Sequence, residues 1–196
     1  MKIMLLSDAA DKALWDHLDR SLLEGVELIL SCGDLPAEYL SFLTCFTDAP
    51  ILYVHGNHDE GYSRKPPEGC ICIEDDIFVY KGVRILGLGG SMKYRPGSHM
   101  YNDQEMNRRV LKLWWKLWRN KGFDILLTHA PAFGIGDQPD LPHRGFEAFV
   151  KLLDRYSPRY LVHGHVHPQY GVGFKREQQY KSTTIINAYK RYMIEI

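Results

Sequence analysis

Ile51-Leu52-Tyr53-Val54-His55-Gly56-Asn57-His58-Asp59 is the stretch around which the rest of the chain is organised. The apolar run 51–54, rich in β-branched and aromatic side chains, reads as a buried strand that stops in a tight turn at Gly56. Within four residues, Gly56-Asn57-His58-Asp59, that turn presents a carboxamide, an imidazole and a carboxylate. Polar density at the C-terminal end of a strand is where open α/β sheets place their ligands. A single such turn is ordinary surface chemistry. Four further strand ends repeat it, at Ser7-Asp8, Gly33-Asp34, Thr128-His129 and Gly164-His165-Val166-His167, and together they point to a site.

Upstream of the turn, residues 2–6 read as a strand and Asp11 to Glu24 as an amphipathic helix carrying Leu14, Leu18 and Leu22 on one face. Gly25 terminates that helix. A second strand runs from Val26 to Leu30, and Pro36 opens a helix to about Phe46. The β-α-β-α-β order argues for parallel pairing with right-handed crossovers. Downstream, Ile77–Tyr80 and Val83–Leu88 flank Lys81-Gly82 as a hairpin. An irregular polar stretch follows, and then a helix capped by Asp103 and reaching about Arg119, whose Trp114, Trp115 and Trp118 read as core or sheet packing. The remaining elements are a strand at 125–127, a loop from Ala130 to Arg144, a helix from Phe146 to Tyr156, a strand at 160–162, and antiparallel strands at 183–188 and 191–196. Residues 1–196 are expected to form a single α/β domain with both parallel and antiparallel pairing.

A chain of 196 residues buries enough surface to fold without disulfides. Its 45% hydrophobic and 24% charged residues are those of a globular protein. Lys+Arg and Asp+Glu are 24 each, so no global field favours nucleic acid or an anionic membrane, and only a local basic patch remains open. The apolar part of the N-terminus is too short for a signal peptide, and no run approaches the roughly 18 apolar residues of a membrane helix. The four cysteines lack zinc-knuckle or redox spacing and suit a reduced compartment; a cytoplasmic location is expected.

Asp8, Asp34, Asn57, His58, His129, His165 and His167 would share one rim, a mixed nitrogen and oxygen set suited to Mn²⁺, Fe or Zn²⁺ rather than to a structural zinc. In their order and wording, Gly33-Asp34, Gly56-Asn57-His58-Asp59, Thr128-His129 and Gly164-His165-Val166-His167 resemble the calcineurin-like metallophosphoesterase superfamily. The resemblance implies two facing mixed β-sheets flanked by helices, a four-layer α/β/β/α arrangement, with two divalent ions at the strand ends. Mn²⁺ leads, with Fe, Zn²⁺ and Ni²⁺ as alternatives. It implies that Asp34 bridges the ions, that Asn57, His129 and His165 complete one site, and that Asp8 and His167 belong to the other. His58 would face the substrate as a catalytic group and Asp59 would fix the local geometry. The implied reaction is hydrolysis of a small phosphate ester, preferentially a diester, by a metal-bridging hydroxide. A monoesterase, a nuclease of the same family, a nucleotide sensor and a catalytically weak protein-binding scaffold are the alternatives.

The chain departs from the family at one point. The first motif there is Asp-x-His, and this sequence reads Asp8-Ala9-Ala10, so the first ion loses an imidazole. Water or Asp11 filling the gap, a weak first site and a mononuclear centre are the outcomes left open, with a loaded but weaker site preferred. Arg95, His99, His143 and Arg144 are the candidate substrate-binding groups, whereas His55 and His163 read as structural and His17 as a helix-surface residue. The expected partner is a small phosphate ester, with neither a polynucleotide nor a membrane.

Overall fold

The computed structural model describes residues 1–170 and 174–196. Among the described residues, thirteen strands are distributed over two large sheets and a short ribbon. They are β1 (Lys2–Ser7), β2 (Val26–Ser31), β3 (Ile51–Tyr53), β4 (Ile71–Cys72), β5 (Asp76–Tyr80), β6 (Val83–Leu88), β7 (Ser91–Met92), β8 (Met100–Tyr101), β9 (Ile125–Thr128), β10 (Tyr160–His163), β11 (Glu177–Tyr180), β12 (Thr183–Asn187) and β13 (Lys190–Glu195). One sheet has the order β13-β1-β2-β3-β4 and the other β11-β12-β10-β9-β6-β5, while β7 and β8 form the ribbon. Pairing is parallel for β1–β2 and β2–β3, and antiparallel for β1–β13 and β5–β6.

The alternation of side chains explains why the two sheets face each other. Ile3 and Leu5 of β1 point into an inner core with Leu28, Leu30, Ile125, Leu127, Val162 and Ile186. Met4 and Leu6, one residue out of phase, point to the opposite face and pack with Leu14, Tyr39, Leu40 and Leu43. These come from two helices, α1 (Lys12–Trp15) and α2 (Ala37–Leu43). On the far side of the second sheet, Leu86, Leu126, Leu161 and Ile185 meet Met106, Leu117, Phe149 and Leu152. Those belong to α3 (Asp103–Lys112), α4 (Trp114–Arg119) and α5 (Glu147–Tyr156). Both faces of the central strands are therefore covered, and they read as continuous apolar runs. The result is two mixed sheets between helical layers, as the resemblance implied.

Three local expectations are corrected. The helix anticipated from Asp11 to Glu24 ends at Trp15, and a separate 3-10 turn spans Arg20–Leu23. Asp19 accepts from Ser21 N at 3.0 Å and so starts that second turn instead of continuing the first. The helix expected to begin at Asp103 is capped one residue earlier, by Asn102 in a reciprocal box with Glu105, and it breaks at Leu113. The tryptophans expected in the core are on the surface, with Trp114 64%, Trp115 51% and Trp118 66% exposed. Leu113 and Leu117 take the buried face of that segment instead.

Candidate metal centre

The strands end together, and their last residues turn inward. Ser7, Ser31, Thr128 and His163 are buried at the ends of β1, β2, β9 and β10. Beyond them, Asp8 N donates to Gly33 O at 3.1 Å and Gly164 N to His129 O at 2.9 Å, which ties four of the five clusters. Asp34 N and Gly56 N both donate to one oxygen of Asp59, at 2.8 and 2.7 Å, which ties in the fifth. Space at these crossings admits only glycine. A Cβ on Gly56 would lie 2.0 Å from Asp34 Oδ1, and one on Gly164 would lie 1.8 Å from Ser7 Oγ and 2.5 Å from Asp8 Oδ2.

The backbone is strained at the same place. Asp8, Asp34 and His165 adopt positive φ of 65°, 56° and 65°. Ala9 N donates to Ser7 O and Val166 N to Gly164 O, each at 2.7 Å, so Asp8 and His165 are the centres of three-residue turns of the strained hand. Such conformations cost roughly 1–3 kcal/mol each for a residue with a side chain, and they collect at functional sites. The two turns interlock, because His165 N donates to both carboxylate oxygens of Asp8 at 3.0 Å.

The orientation of the imidazoles decides what the cluster can hold. His129 Nδ1 lies 2.8 Å from Cys32 O, and His165 Nε2 lies 2.8 Å from Pro142 O. A carbonyl only accepts, so each of these nitrogens carries the proton and the other nitrogen offers a lone pair. His129 Nε2 then faces Asn57 Oδ1 at 3.0 Å, His165 Nδ1 at 3.1 Å and Asp34 Oδ2 at 3.3 Å. Four acceptor atoms converge with no donor among them, which only a proton or a cation resolves. Asp34, His129 and His165 place one ligand atom each within 4.8 Å of one another. An imidazole whose second nitrogen donates to a backbone carbonyl is the usual arrangement of a metal-ligating histidine. The residues fit a divalent cation.

Electrostatics agree with that reading. Burial opposes a charge on His129, but Asp34 at its side raises it to about 9. Burial and the charge of His129 push His165 down to about 3, which keeps it neutral. Burial also works against the Asp34 carboxylate, yet His129 and the His58 backbone N–H hold it well below the usual range. Asp59 is pushed up to about 6 by burial and by the charge of Asp34.

The second half of the cluster is thinner. His167 Nε2 lies 3.2 Å from Asp8 Oδ1, and the Asp8 side chain is 1% exposed. Ala10 packs on the α1–α2 core and offers no ligand atom. Asp11 does not replace the lost imidazole, since it caps Ala13 N at 3.0 Å and accepts from Arg191 Nε at 2.8 Å.

A cleft of about 450 Å³ opens over the cluster, lined by Asp8, Asp34, His58, Asp59, Tyr62 and Lys65 among others. His58 is exposed in it, with its backbone N–H on Asp34 Oδ1 at 2.8 Å. The other candidates divide. The His143 ring lies 5.1 Å from His165, and its Nδ1 is 2.6 Å from Asp140 Oδ2, so it stands beside the cluster. Arg144 turns to the Phe133 ring, Asp103 and Glu147. His99 stacks on His55 at 4.3 Å, and His55 is held by Glu74. Arg95 is exposed over the Tyr94 ring. The His163 ring bonds Gly164 O at 2.9 Å, and burial pushes it down to about 4. Sequence reasoning missed Tyr62 and Lys65 at the mouth, and the backbone carbonyls of Cys32 and Pro142. Carbonyls leave no trace in side-chain identity.

A family model described as calcineurin-like phosphoesterase matches residues 1–169. UPF0046 protein K07C11.7 of Caenorhabditis elegans is 26% identical over 96% of this chain and 69% of its own length. Metallophosphoesterase domain-containing protein 1 of Homo sapiens is 32% identical over 53% of this chain, which spans 31% of that longer relative. In fold, the crystal structure of TT1561 of Thermus thermophilus superposes with a TM-score of 0.66 at 18% identity, covering 96% of this chain and 88% of the other.

Proposed function

Because the chain belongs to the calcineurin-like phosphoesterases, hydrolases acting on phosphoric esters, we propose that it is a metal-dependent phosphodiesterase of small substrates. The observation that carries this is the convergence of Asn57 Oδ1, His165 Nδ1 and Asp34 Oδ2 on the lone pair of His129 Nε2. We read residues 1–196 as one metallophosphoesterase domain that holds two ions, Mn²⁺ by preference. Asp8 and His167 would hold the first weakly, Asn57, His129 and His165 would hold the second tightly, and Asp34 would serve both. Bound there, the ions would neutralise phosphoryl charge and make a water acidic enough to attack near neutral pH.

The chain supplies the rest. Asp59 clamps the Asp34 and Gly56 backbones through two hydrogen bonds, which holds the ligand loops in register. His58, exposed in the cleft, is placed to stabilise charge on the transferring phosphoryl group or to protonate the leaving alkoxide. The cleft volume suits a small ester, and the balanced charge argues against a long polynucleotide track. Ala10 favours one other reading, a catalytically weak scaffold that has lost a ligand.

Turnover of an aryl phosphodiester and of the matching monoester, followed across added Mn²⁺, tests the proposal. Mn²⁺-dependent cleavage with the diester ahead, abolished by Asp34→Asn, is expected. Turnover retained by Asp34→Asn contradicts the shared-ligand reading. Absence of both turnover and tight metal under any divalent ion leaves the scaffold.

A further inference from the structure

The segment formed by α3 and α4 is apolar on two faces. Met106, Leu113 and Leu117 fill the core, as an amphipathic helix requires. Leu111 at the end of α3 and Trp114, Trp115 and Trp118 of α4, on either side of the break at Leu113, face solvent: Leu111 is 68% exposed, with all three tryptophans above half. Four large apolar side chains exposed within eight residues form an unpartnered patch.

The charges carried by the segment itself share one sign. From Asn107 to Gly122 the chain contains Arg108, Arg109, Lys112, Lys116, Arg119 and Lys121 and no Asp or Glu, in a protein whose net charge is zero. Arg109 is buried on Glu74 and Asp75, and Lys116 is matched to Asp76 at 2.8 Å. Arg108, Lys112, Arg119 and Lys121 are exposed. Arg155 of α5 adds a further cation, and with Trp114, Trp118, Arg119, Lys121 and Tyr156 it lines a cleft of about 630 Å³.

We propose that this tryptophan and lysine/arginine face docks on an anionic lipid surface, seating the protein on a membrane without crossing it. Among the described residues no helix is long and apolar enough to cross a membrane, so the contact is interfacial. Indole rings prefer the headgroup region, and flanking lysine and arginine side chains reach the lipid phosphates. Leu111 adds an aliphatic tip, which a lipid accepts and a nucleobase does not stack on. Trp115 and Trp118 stack on each other at 4.8 Å and 26°, which occupies ring faces that a single-stranded nucleic acid would need. A second copy docking isologously would oppose these cations to their own symmetry mates. The balanced net charge gives no global attraction to a membrane, and the proposal rests on the local basic patch alone.

Vesicle co-sedimentation of the full chain is the test, with phosphatidylcholine alone and with about 30% phosphatidylserine, at low and at about 0.5 M salt. Binding to the anionic vesicles only is expected, weakened about tenfold or more by the salt. A blue shift of tryptophan emission is also expected, because three of the four tryptophans lie in the patch. The double variant Trp114→Ser/Trp118→Ser should lose sedimentation while keeping its circular dichroism and its phosphoesterase turnover, and Lys112→Glu/Arg119→Glu should weaken it. No binding at low salt, equal binding to neutral vesicles, or full binding by the tryptophan variant overturns the proposal. So does a dimer that hides the tryptophans without lipid binding, or quenching by an oligonucleotide in a protein that ignores vesicles.

Discussion

Asp59 offers a clean separation between a hydrogen-bonding role and a role for its charge. One oxygen of its carboxylate accepts from Asp34 N at 2.8 Å and Gly56 N at 2.7 Å, and the residue is 3% exposed. Asp59→Ala leaves the buried Gly56 N–H and the partly buried Asp34 N–H without an acceptor, at roughly 1–3 kcal/mol each, so a loss of about 2–6 kcal/mol is expected. At about 2–4 °C per kcal/mol for a chain of this size, the midpoint of thermal unfolding should fall by about 4–24 °C. Asp59→Asn keeps an oxygen in place for both donors. It also removes a charge that burial and Asp34 disfavour, as the rise to about 6 records. The asparagine variant should therefore stay within about 1 kcal/mol of the parent in metal-free protein. Calorimetry of chelator-treated protein reads both numbers, and a Mn²⁺ titration should show the alanine variant binding about 10–100-fold more weakly. If asparagine falls as far as alanine, or alanine does not fall, the two-donor clamp is not what holds these loops.

The other predictions concern separate parts of the structure. Glu74 is partly buried, which opposes its charge, yet the His55 hydrogen bond and Arg109 outweigh burial and hold it at about 2 against an ordinary 4.5. A depressed carboxyl stabilises fully above its unfolded value and loses that contribution as pH falls from about 4.5 through 2. The contribution is about 3 kcal/mol, so Glu74→Gln should lower stability at pH 7 and flatten the acid limb between those values in urea titrations. Gly164→Ala drives a Cβ into Ser7 Oγ and the Asp8 carboxylate, so occupancy of the weaker metal position should drop out in metal analysis before overall fold is lost by circular dichroism. His58→Ala should leave metal content near normal while kcat falls about 100-fold or more; loss of metal instead would show His58 to be a ligand.

The β-α-β order and the polar strand ends were legible in the sequence because both rest on side-chain identity, whereas the layer order came from the resemblance to the family. Ile51–Val54 is apolar because both faces of that strand are covered, and Asn57, His129 and His165 stand where strands stop. The misread parts have distinct physical causes. Leu14, Leu18 and Leu22 keep helical spacing, but Asp19 folds back on Ser21 and ends the regular turn, a local competition that periodicity does not register. Trp114, Trp115 and Trp118 were placed inside because large aromatics usually are, whereas Leu113 and Leu117 already fill that space. The positive φ at Asp8, Asp34 and His165 left no glycine to mark it, because the interlocked turns hold residues with side chains in that region. Arg144 was grouped with His143 by proximity in sequence, but only His143 stands beside His165.

The most direct measurement is a Mn²⁺-soaked crystal structure with anomalous scattering. A strong peak bound by Asn57 Oδ1, His129 Nε2, His165 Nδ1 and Asp34 is expected. A weaker peak about 3.5–4 Å away, on Asp8 and His167, would reflect the missing imidazole at Ala10. Density absent from His129 and His165 at saturating Mn²⁺, or an ion bound elsewhere in the cleft, would contradict this ligand assignment.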